Sequence, residues 1–186
     1  MSMRPGLTGF ILAGGKSARM RRDKALLDWH GRTLLDHMTD LISAVADNVY
    51  VVGRGQFPDR VQGLGPLSGI VTALEISETD ANLVVAVDLP FLTREFLQYL
   101  KSEAERFNYP LTACKIGSDF LLCLAIHRSI LPEARSRLAS SNLSIHGLIE
   151  GTPSHVVSES DLQNAGFEVG LFRNINTEQD YRDSCR

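Results

Sequence analysis

The chain has 186 residues, of which 44% are hydrophobic and 22% are charged, and its formal net charge is −3. This length and composition are typical of one globular domain that buries a substantial core. The small negative charge excludes a broad nucleic-acid-binding face, which would need an excess of cations.

Strand and helix patterns alternate through the first half of the chain. A short apolar run that begins at Phe10 and breaks at Gly14 and Gly15 predicts a buried strand. The further predicted elements are strands at 48–52 and 82–87, and helices at 33–46, 67–76 and 94–107. Thr33 and Thr93 are predicted to cap the first and third of these helices.

The second half is less regular. Strands at 111–115 and 120–126 are predicted to form a hairpin around Gly117 and Ser118. The remaining predictions are helices at 128–139 and 144–150, a strand at 155–157, a loop reaching Gly170, a last strand or turn at 172–176, and a helix capped by Thr177.

The alternation of strands and helices predicts βαβ units, and therefore a largely parallel sheet covered on both faces. In such sheets, ligands bind beyond the carboxyl ends of the strands. Gly14 and Gly15 follow one predicted strand, and Asp88 follows another. We therefore expect the Gly-Gly loop and Asp88 to lie at the same edge of the sheet.

A basic loop follows the first strand. After the two glycines, five cations fall within the nine residues from Lys16 to Lys24. Paired glycines let backbone N–H groups approach a ligand closely, and the cations suit an anion with several charges, such as a nucleoside triphosphate. The spacing fits neither G-x-x-x-x-G-K-[ST] nor G-x-G-x-x-G. A glycine turn with a solvated basic face is the alternative.

Asp88 ends a continuous apolar strand. An unpaired charge is costly in such surroundings, so a partner is expected, and Mg²⁺ suits one or two carboxylates together with phosphate oxygens. The alternative is that Asp88 caps the turn before Pro90. The five histidines show no paired ligand spacing, so each is expected to be a surface or core residue.

The three cysteines, Cys114, Cys123 and Cys185, are widely separated and lack C-x-x-C spacing. This pattern fits neither a disulfide framework nor a zinc site, and Cys114 and Cys123 are expected to be small core residues. Residues 1–6 have no apolar signal region, and no apolar run is long enough to span a bilayer. A cytoplasmic location is therefore expected.

Residues 12–20 (LAGGKSARM), followed by 23–26 (DKAL), resemble the signature of nucleotidyltransferases with a Rossmann-like fold. The likeness is most specific to the molybdenum cofactor guanylyltransferases. Three later segments resemble this family in order: 65–70 (GPLSGI), 85–92 (VAVDLPFL) and 174–177 (NINT). The resemblance implies a three-layer α/β/α fold with a mostly parallel sheet. It also implies one nucleotidyltransferase domain over 1–186, with a nucleotide-binding half at about 1–107 and an acceptor-binding half at about 108–186.

The site residues follow from this resemblance, position by position. They are catalytic Arg19, Lys24 and Asp88; nucleotide-binding Leu12, Ala13, Gly14, Gly15, Lys24, Asp59 and Asp88; and metal-binding Asp88 and Asn176. An exposed loop acid is the alternative for Asp59, and a simple helix start is the alternative for residues 174–177. Lys16, Arg21 and Arg22 could be solvated cations.

The function implied is Mg²⁺-dependent transfer of GMP from GTP to molybdopterin, with release of pyrophosphate. The implied partners are GTP and the molybdopterin cofactor, without nucleic acid or membrane, and with transient contact to proteins that deliver molybdopterin or mature molybdoenzymes.

The chain departs from the family at two places: Arg21 stands where glycine is usual, and residues 120–124 lack the usual Pro-Leu. The alternatives are a cytidylyltransferase for molybdopterin or another phosphorylated acceptor, and a nucleotide-binding homologue without turnover.

Overall fold

Six strands form the central sheet of the computed structural model, which describes residues 4–14, 22–58 and 64–184. The strands in chain order are β1 (Arg4–Leu12), β2 (Asp28–Trp29), β3 (Arg32–Thr33), β4 (Asn48–Val52), β5 (Thr79–Ala86), β6 (Leu111–Ile116), β7 (Asp119–His127) and β8 (Ser154–Val157). The sheet has the order β4-β1-β5-β7-β6-β8, and β2 pairs with β3 as a separate hairpin. β7 is antiparallel to both of its neighbours, whereas the other sheet pairings are parallel.

Several of the helices begin at a residue whose side chain caps the first turn. The helices are α1 (Leu34–Ser43), α2 (Pro66–Ile76), α3 (Arg94–Phe107), α4 (Leu131–Ala139), α5 (Ile145–Glu150), α6 (Glu159–Asn164) and α7 (Glu178–Ser184). As predicted, Thr33 Oγ1 accepts a hydrogen bond from Asp36 N at 3.0 Å, and Thr93 Oγ1 accepts one from Phe96 N at 3.3 Å. Within the described ranges, none of these helices is both long and apolar enough to cross a bilayer.

The core lies in two layers, one on each face of the sheet. α1, α3 and α6 pack their buried side chains on one face, and α2, α4 and α5 pack theirs on the other. Strand β1 shows the alternation that produces this division: Leu7 and Ile11 join the first layer, whereas Phe10 and Leu12 join the second. The predicted three-layer α/β/α fold with a mostly parallel sheet is confirmed.

Helix α1 packs tightly against β1 at Gly9. A Cβ atom built on Gly9 would lie 2.3 Å from Ile42 Cγ2 and 3.3 Å from Ala46 Cβ. A side chain of any size would therefore push the helix away from the strand.

Two predictions about the second half need correction. The segment predicted as a loop up to Gly170 contains α6 and a short 3₁₀ helix, Val169–Phe172. α6 begins with a capping box, in which Ser158 Oγ accepts from Asp161 N at 3.2 Å and Asp161 Oδ2 accepts from Ser158 N at 3.0 Å. Only Leu162 of α6 is buried, so this helix lacks the apolar repeat by which longer helices are recognised.

The second correction concerns two elements: the helix predicted at 128–139 and the strand or turn predicted at 172–176. The helix predicted at 128–139 starts as a 3₁₀ turn, Arg128–Ile130, and becomes α-helical only at Leu131. Pro132 favours this break, because proline lacks the N–H that a helix interior requires but is tolerated in the first turn. Residues 173–176 do not form a strand; they make an irregular connection that leads into α7.

The prediction that Cys114 and Cys123 are core residues is confirmed, since both are fully buried. Burial raises the pKa of the Cys114 thiol to about 12 and raises that of Cys123 well above its ordinary value. We expect both thiols to stay unreactive toward Ellman's reagent at pH 8 until the protein is unfolded. A time course with and without denaturant measures this, and rapid reaction of two or more thiols in the folded protein would contradict it.

Candidate active site

The carboxyl ends of β4, β1 and β5 are joined by backbone hydrogen bonds. Ala13 N donates to Val52 O at 2.9 Å, and Val87 N donates to Leu12 O at 3.1 Å. The predicted nucleotide contacts Leu12, Ala13 and Gly14 therefore lie between the ends of two neighbouring strands, with Gly14 exposed. This is the edge where parallel sheets bind ligands.

Lys24 projects from a short 3₁₀ helix, Lys24–Leu26, which Asp23 caps by accepting from Ala25 N at 3.1 Å. Its Nζ donates to Asp88 Oδ2 at 2.9 Å and to Asn176 Oδ1 at 2.8 Å. The side chains of Lys24 and Asp88 are only 17% and 20% exposed, so water screens this ion pair less than it would a surface pair. The Lys24 ammonium thus joins Asp88 and Asn176, although the three residues were predicted from separate motifs.

A backbone contact brings Asn176 to Asp88. Ile175, which is fully buried, donates from its N to Asp88 O at 2.9 Å. Asp180 Oδ2 then accepts from Asn176 N at 2.9 Å and from Thr177 N at 2.8 Å. These two backbone donors lower the pKa of the Asp180 carboxyl below its ordinary value. Hydrogen bonds therefore fix the backbone at Ile175, Asn176 and Thr177.

His37 supports the segment that follows Asp88. Its Nε2 donates to Pro90 O at 2.8 Å, and its Nδ1 accepts from Arg32 Nη2 at 2.9 Å. This pattern requires the neutral ring. Burial lowers the pKa of His37, which also favours the neutral form. His37 is one of the five histidines that were predicted to have no catalytic duty, and its contacts fit a structural role.

The helix start predicted around residues 65–70 is also observed. Gly65 has φ of +71°, a conformation that glycine adopts without a steric penalty, and Pro66 begins α2. The N-terminus of α2 therefore lies at the edge of the sheet that carries Lys24 and Asp88, because the helix starts after the carboxyl end of β4.

Several predicted residues lie outside the described ranges. Gly15, Arg19 and Arg21 fall within 15–21, and Asp59 falls within 59–63. Their assignments stay predictions.

The donor atoms at Asp88 and Asn176 fit magnesium. Mg²⁺ prefers oxygen ligands and usually takes one or two carboxylates, with substrate phosphates and waters completing the octahedron. Asp88 offers a carboxylate and Asn176 an amide oxygen, close enough to share one ammonium group. Among the described residues, no three His, Cys, Asp or Glu side chains form a cage. Substrate phosphates and waters would complete the coordination of a metal held by Asp88 and Asn176.

Two contacts at the site were missed from the sequence. Arg54 Nη2 forms an ion pair with Asp23 Oδ2, and Asp180 holds residues 176 and 177. A signal existed for Asp180, because Thr177-x-x-Asp180 has the spacing of a capping box. Arg54 follows the end of β4, so the reasoning that selected Asp88 could have selected it as well.

Comparisons with known proteins identify the family of the chain. A family model described as MobA-like NTP transferase domain matches residues 9–151. A molybdenum cofactor guanylyltransferase of Xanthomonas euvesicatoria pv. vesicatoria is 33% identical over 178 residues, covering 90% of each chain. A probable molybdenum cofactor guanylyltransferase of Flavobacterium johnsoniae is 29% identical over 187 residues, covering 95% of each.

A solved structure shows the same fold. Molybdopterin-guanine dinucleotide biosynthesis protein A of Archaeoglobus fulgidus superimposes with a TM-score of 0.76 at 20% identity, covering 95% of this chain and 96% of that one. The resemblance inferred from the sequence motifs is thereby confirmed. Because the family model spans most of the chain, from β1 to the end of α5, the chain belongs to the family of MobA-like NTP transferase domains.

Proposed function

We propose that the protein transfers GMP from GTP to molybdopterin, which makes it a molybdenum cofactor guanylyltransferase. The observation that carries this proposal is the convergence of Lys24, Asp88 and Asn176 at the carboxyl edge of the sheet. Its relatives of similar length, named as guanylyltransferases, support the choice of substrates.

The reaction is a substitution at the α-phosphorus of GTP. An oxygen of the molybdopterin phosphate forms a bond to this phosphorus, and the bond from phosphorus to the oxygen that bridges to the β-phosphate breaks. The electron pair leaves with pyrophosphate, and the product is the molybdopterin guanine dinucleotide cofactor. Because no enzyme-bound intermediate is needed, positioning and charge stabilisation account for the catalysis.

Lys24 supplies the cation for this step. Its ammonium is held beside Asp88, next to the end of β1, where the backbone of Gly14 is exposed to an incoming phosphate. In this place it can offset the negative charge that grows on the leaving pyrophosphate. Hydrogen bonds to Asp88 Oδ2 and Asn176 Oδ1 fix the position of this ammonium before the substrate arrives.

Mg²⁺ is part of the proposal. Asp88 and Asn176 would hold it, and it would neutralise phosphate charge when bound.

The two halves of the domain bind different substrates in this proposal, with residues 1–107 binding the nucleotide and residues 108–186 binding the acceptor. In this arrangement Asn176 belongs to the acceptor half and Asp88 to the nucleotide half.

We expect GTP with Mg²⁺ to raise the melting temperature by about 5–10 °C at 100 times its dissociation constant. Such saturation contributes about 2.7 kcal/mol, and a chain of this length gains roughly 2–4 °C per kcal/mol. Lys24→Ala should remove the rise. Lys101→Ala is the matched control, because Lys101 is 43% exposed on α3 and pairs with Glu105. Thermal scans with GTP, CTP, ATP and UTP measure the effect.

The same scans distinguish the alternatives. A rise with CTP and none with GTP would indicate a cytidylyltransferase, and no rise with any nucleotide would contradict the triphosphate site. Pyrophosphate release from GTP in the presence of molybdopterin then separates an enzyme from a nucleotide-binding homologue, which would bind GTP and release none.

A further inference from the structure

Arg54 lies at the same edge of the sheet as Gly14. β4 ends at Val52, two residues before Arg54, and pairs in parallel with β1, whose register aligns Leu12 with Val52. In the strand order β4-β1-β5, β4 and β5 flank β1 on opposite sides. Arg54 therefore follows the strand on one side of Gly14, and Asp88 follows the strand on the other.

One nitrogen of the Arg54 guanidinium is already engaged. Nη2 forms the ion pair with Asp23 Oδ2, while Asp23 Oδ1 caps the 3₁₀ helix that carries Lys24. Arg54 is thus connected, through one carboxylate, to the residue that we place against the triphosphate.

The other terminal nitrogen has no hydrogen-bond partner among the described residues. Nη1 of Arg54 is buried, and it makes no hydrogen bond with any of the residues that the structure describes. A buried donor that stays unpaired carries a desolvation cost, so native proteins rarely leave one without a reason. The side chain as a whole is 27% exposed, so part of Arg54 faces solvent although Nη1 itself is covered.

We propose that Arg54 is a nucleotide-binding residue, whose Nη1 donates to the GMP part of bound GTP while Nη2 keeps its pair with Asp23. This inference rests on the proposed function. The strand order favours the GMP part: we place the pyrophosphate end against Lys24, whose partner Asp88 follows β5, whereas Arg54 follows β4 on the other side of β1. Arg54 therefore contacts the portion that is transferred, and Lys24 the portion that leaves.

Calorimetric titration of GTP, GMP and pyrophosphate into the full chain tests this. Loss of a charge-assisted hydrogen bond is worth about tenfold in affinity or more. We expect Arg54→Gln to raise the dissociation constants of GTP and GMP at least about tenfold while leaving pyrophosphate unchanged. Arg54→Lys, which keeps the charge but has one fewer terminal nitrogen, should give an intermediate loss.

Two further variants separate a direct contact from an effect through Asp23. Asp23→Asn removes the ion pair but leaves Arg54 Nη1 in the protein, so its loss of GMP affinity should be smaller than that of Arg54→Gln. The double variant, Asp23→Asn with Arg54→Gln, should lose more GMP affinity than Asp23→Asn alone. Arg135→Gln is the matched control, since Arg135 pairs with Glu75 at 2.8 Å and is 55% exposed on α4. Its dissociation constants should match those of the unsubstituted chain, and melting curves check that every variant is folded.

The possible results divide cleanly. An Arg54→Gln loss no larger than that of Asp23→Asn, a loss confined to pyrophosphate, or no loss at all would each overturn the inference. If the unsubstituted chain failed to bind GTP, the proposed function itself would be wrong. If the unsubstituted chain bound GTP and Arg54→Gln bound it equally well, only the role proposed for Arg54 would be wrong.

Discussion

Asp88→Asn is expected to lower turnover by about a thousandfold, near the top of the range for removing a single group that stabilises the transition state. Asparagine keeps the shape of the side chain and an acceptor oxygen for Lys24, but it removes the charge. The ammonium then loses its ion partner, and Mg²⁺ loses the single carboxylate that we assign to it. Pyrophosphate release at saturating GTP and molybdopterin measures the effect.

Asp80→Asn is the matched control for this variant. Asp80 lies in the same strand, β5, near its other end, and it is more than half exposed, with its nearest ion partner, His127, 3.9 Å away. We expect its turnover to equal that of the unsubstituted protein. Without Mg²⁺, Asp88→Asn should bind GTP at least as tightly as the unsubstituted chain does, because a carboxylate repels phosphate. Turnover of Asp88→Asn within tenfold of the unsubstituted protein would show that Asp88 has no essential role.

Gly9→Ala is expected to destabilise the protein by about 3 kcal/mol, the upper part of the range for overpacking a core. The new methyl group would stand 2.3 Å from Ile42 Cγ2, which belongs to α1 and is fully buried, so the helix must shift to relieve the clash. For a chain of this length, the melting temperature should fall by about 6–12 °C. Thermal and urea unfolding curves measure the change.

Two companion variants show whether the clash with Ile42 is the cause. Gly170→Ala is the control, since a Cβ built there meets no atom within 4 Å and the backbone is not in the left-handed region. Ile42→Ala removes Cγ2, so Gly9→Ala should cost less than about 1 kcal/mol in that background. An equal cost of Gly9→Ala in both backgrounds would locate the strain elsewhere.

The fold was largely predictable because its main elements obey strong local rules. β4 and α3 have the predicted bounds, since a β-branched run and a threonine cap mark their limits. α6 and the β2–β3 hairpin were not predicted, because α6 buries only Leu162 and each hairpin strand has two residues, so neither element shows an apolar repeat. Their existence depends on packing against parts of the chain that are distant in sequence.

The site was predictable only in part, for a related reason. The proximity of Lys24 and Asp88 follows from strand direction, because both come after neighbouring parallel strands. The pairing of Arg54 with Asp23 joins residues 31 positions apart, through side chains whose direction no sequence pattern indicates. The bond from Ile175 to Asp88 likewise depends on how the irregular segment at 173–176 crosses the sheet.

The position of Asn176 in the chain has a consequence for truncated forms of the protein. Within the described residues, the strands are complete at Val157, whereas the C-terminal partners of Lys24 and Asp88 come after residue 172. A chain that stopped at residue 172 would keep every strand of the described sheet, yet Lys24 would lack its amide partner and Asp88 the backbone bond from Ile175. Loss of the residues after 172 is therefore expected to remove two contacts of the reactive centre without removing a strand.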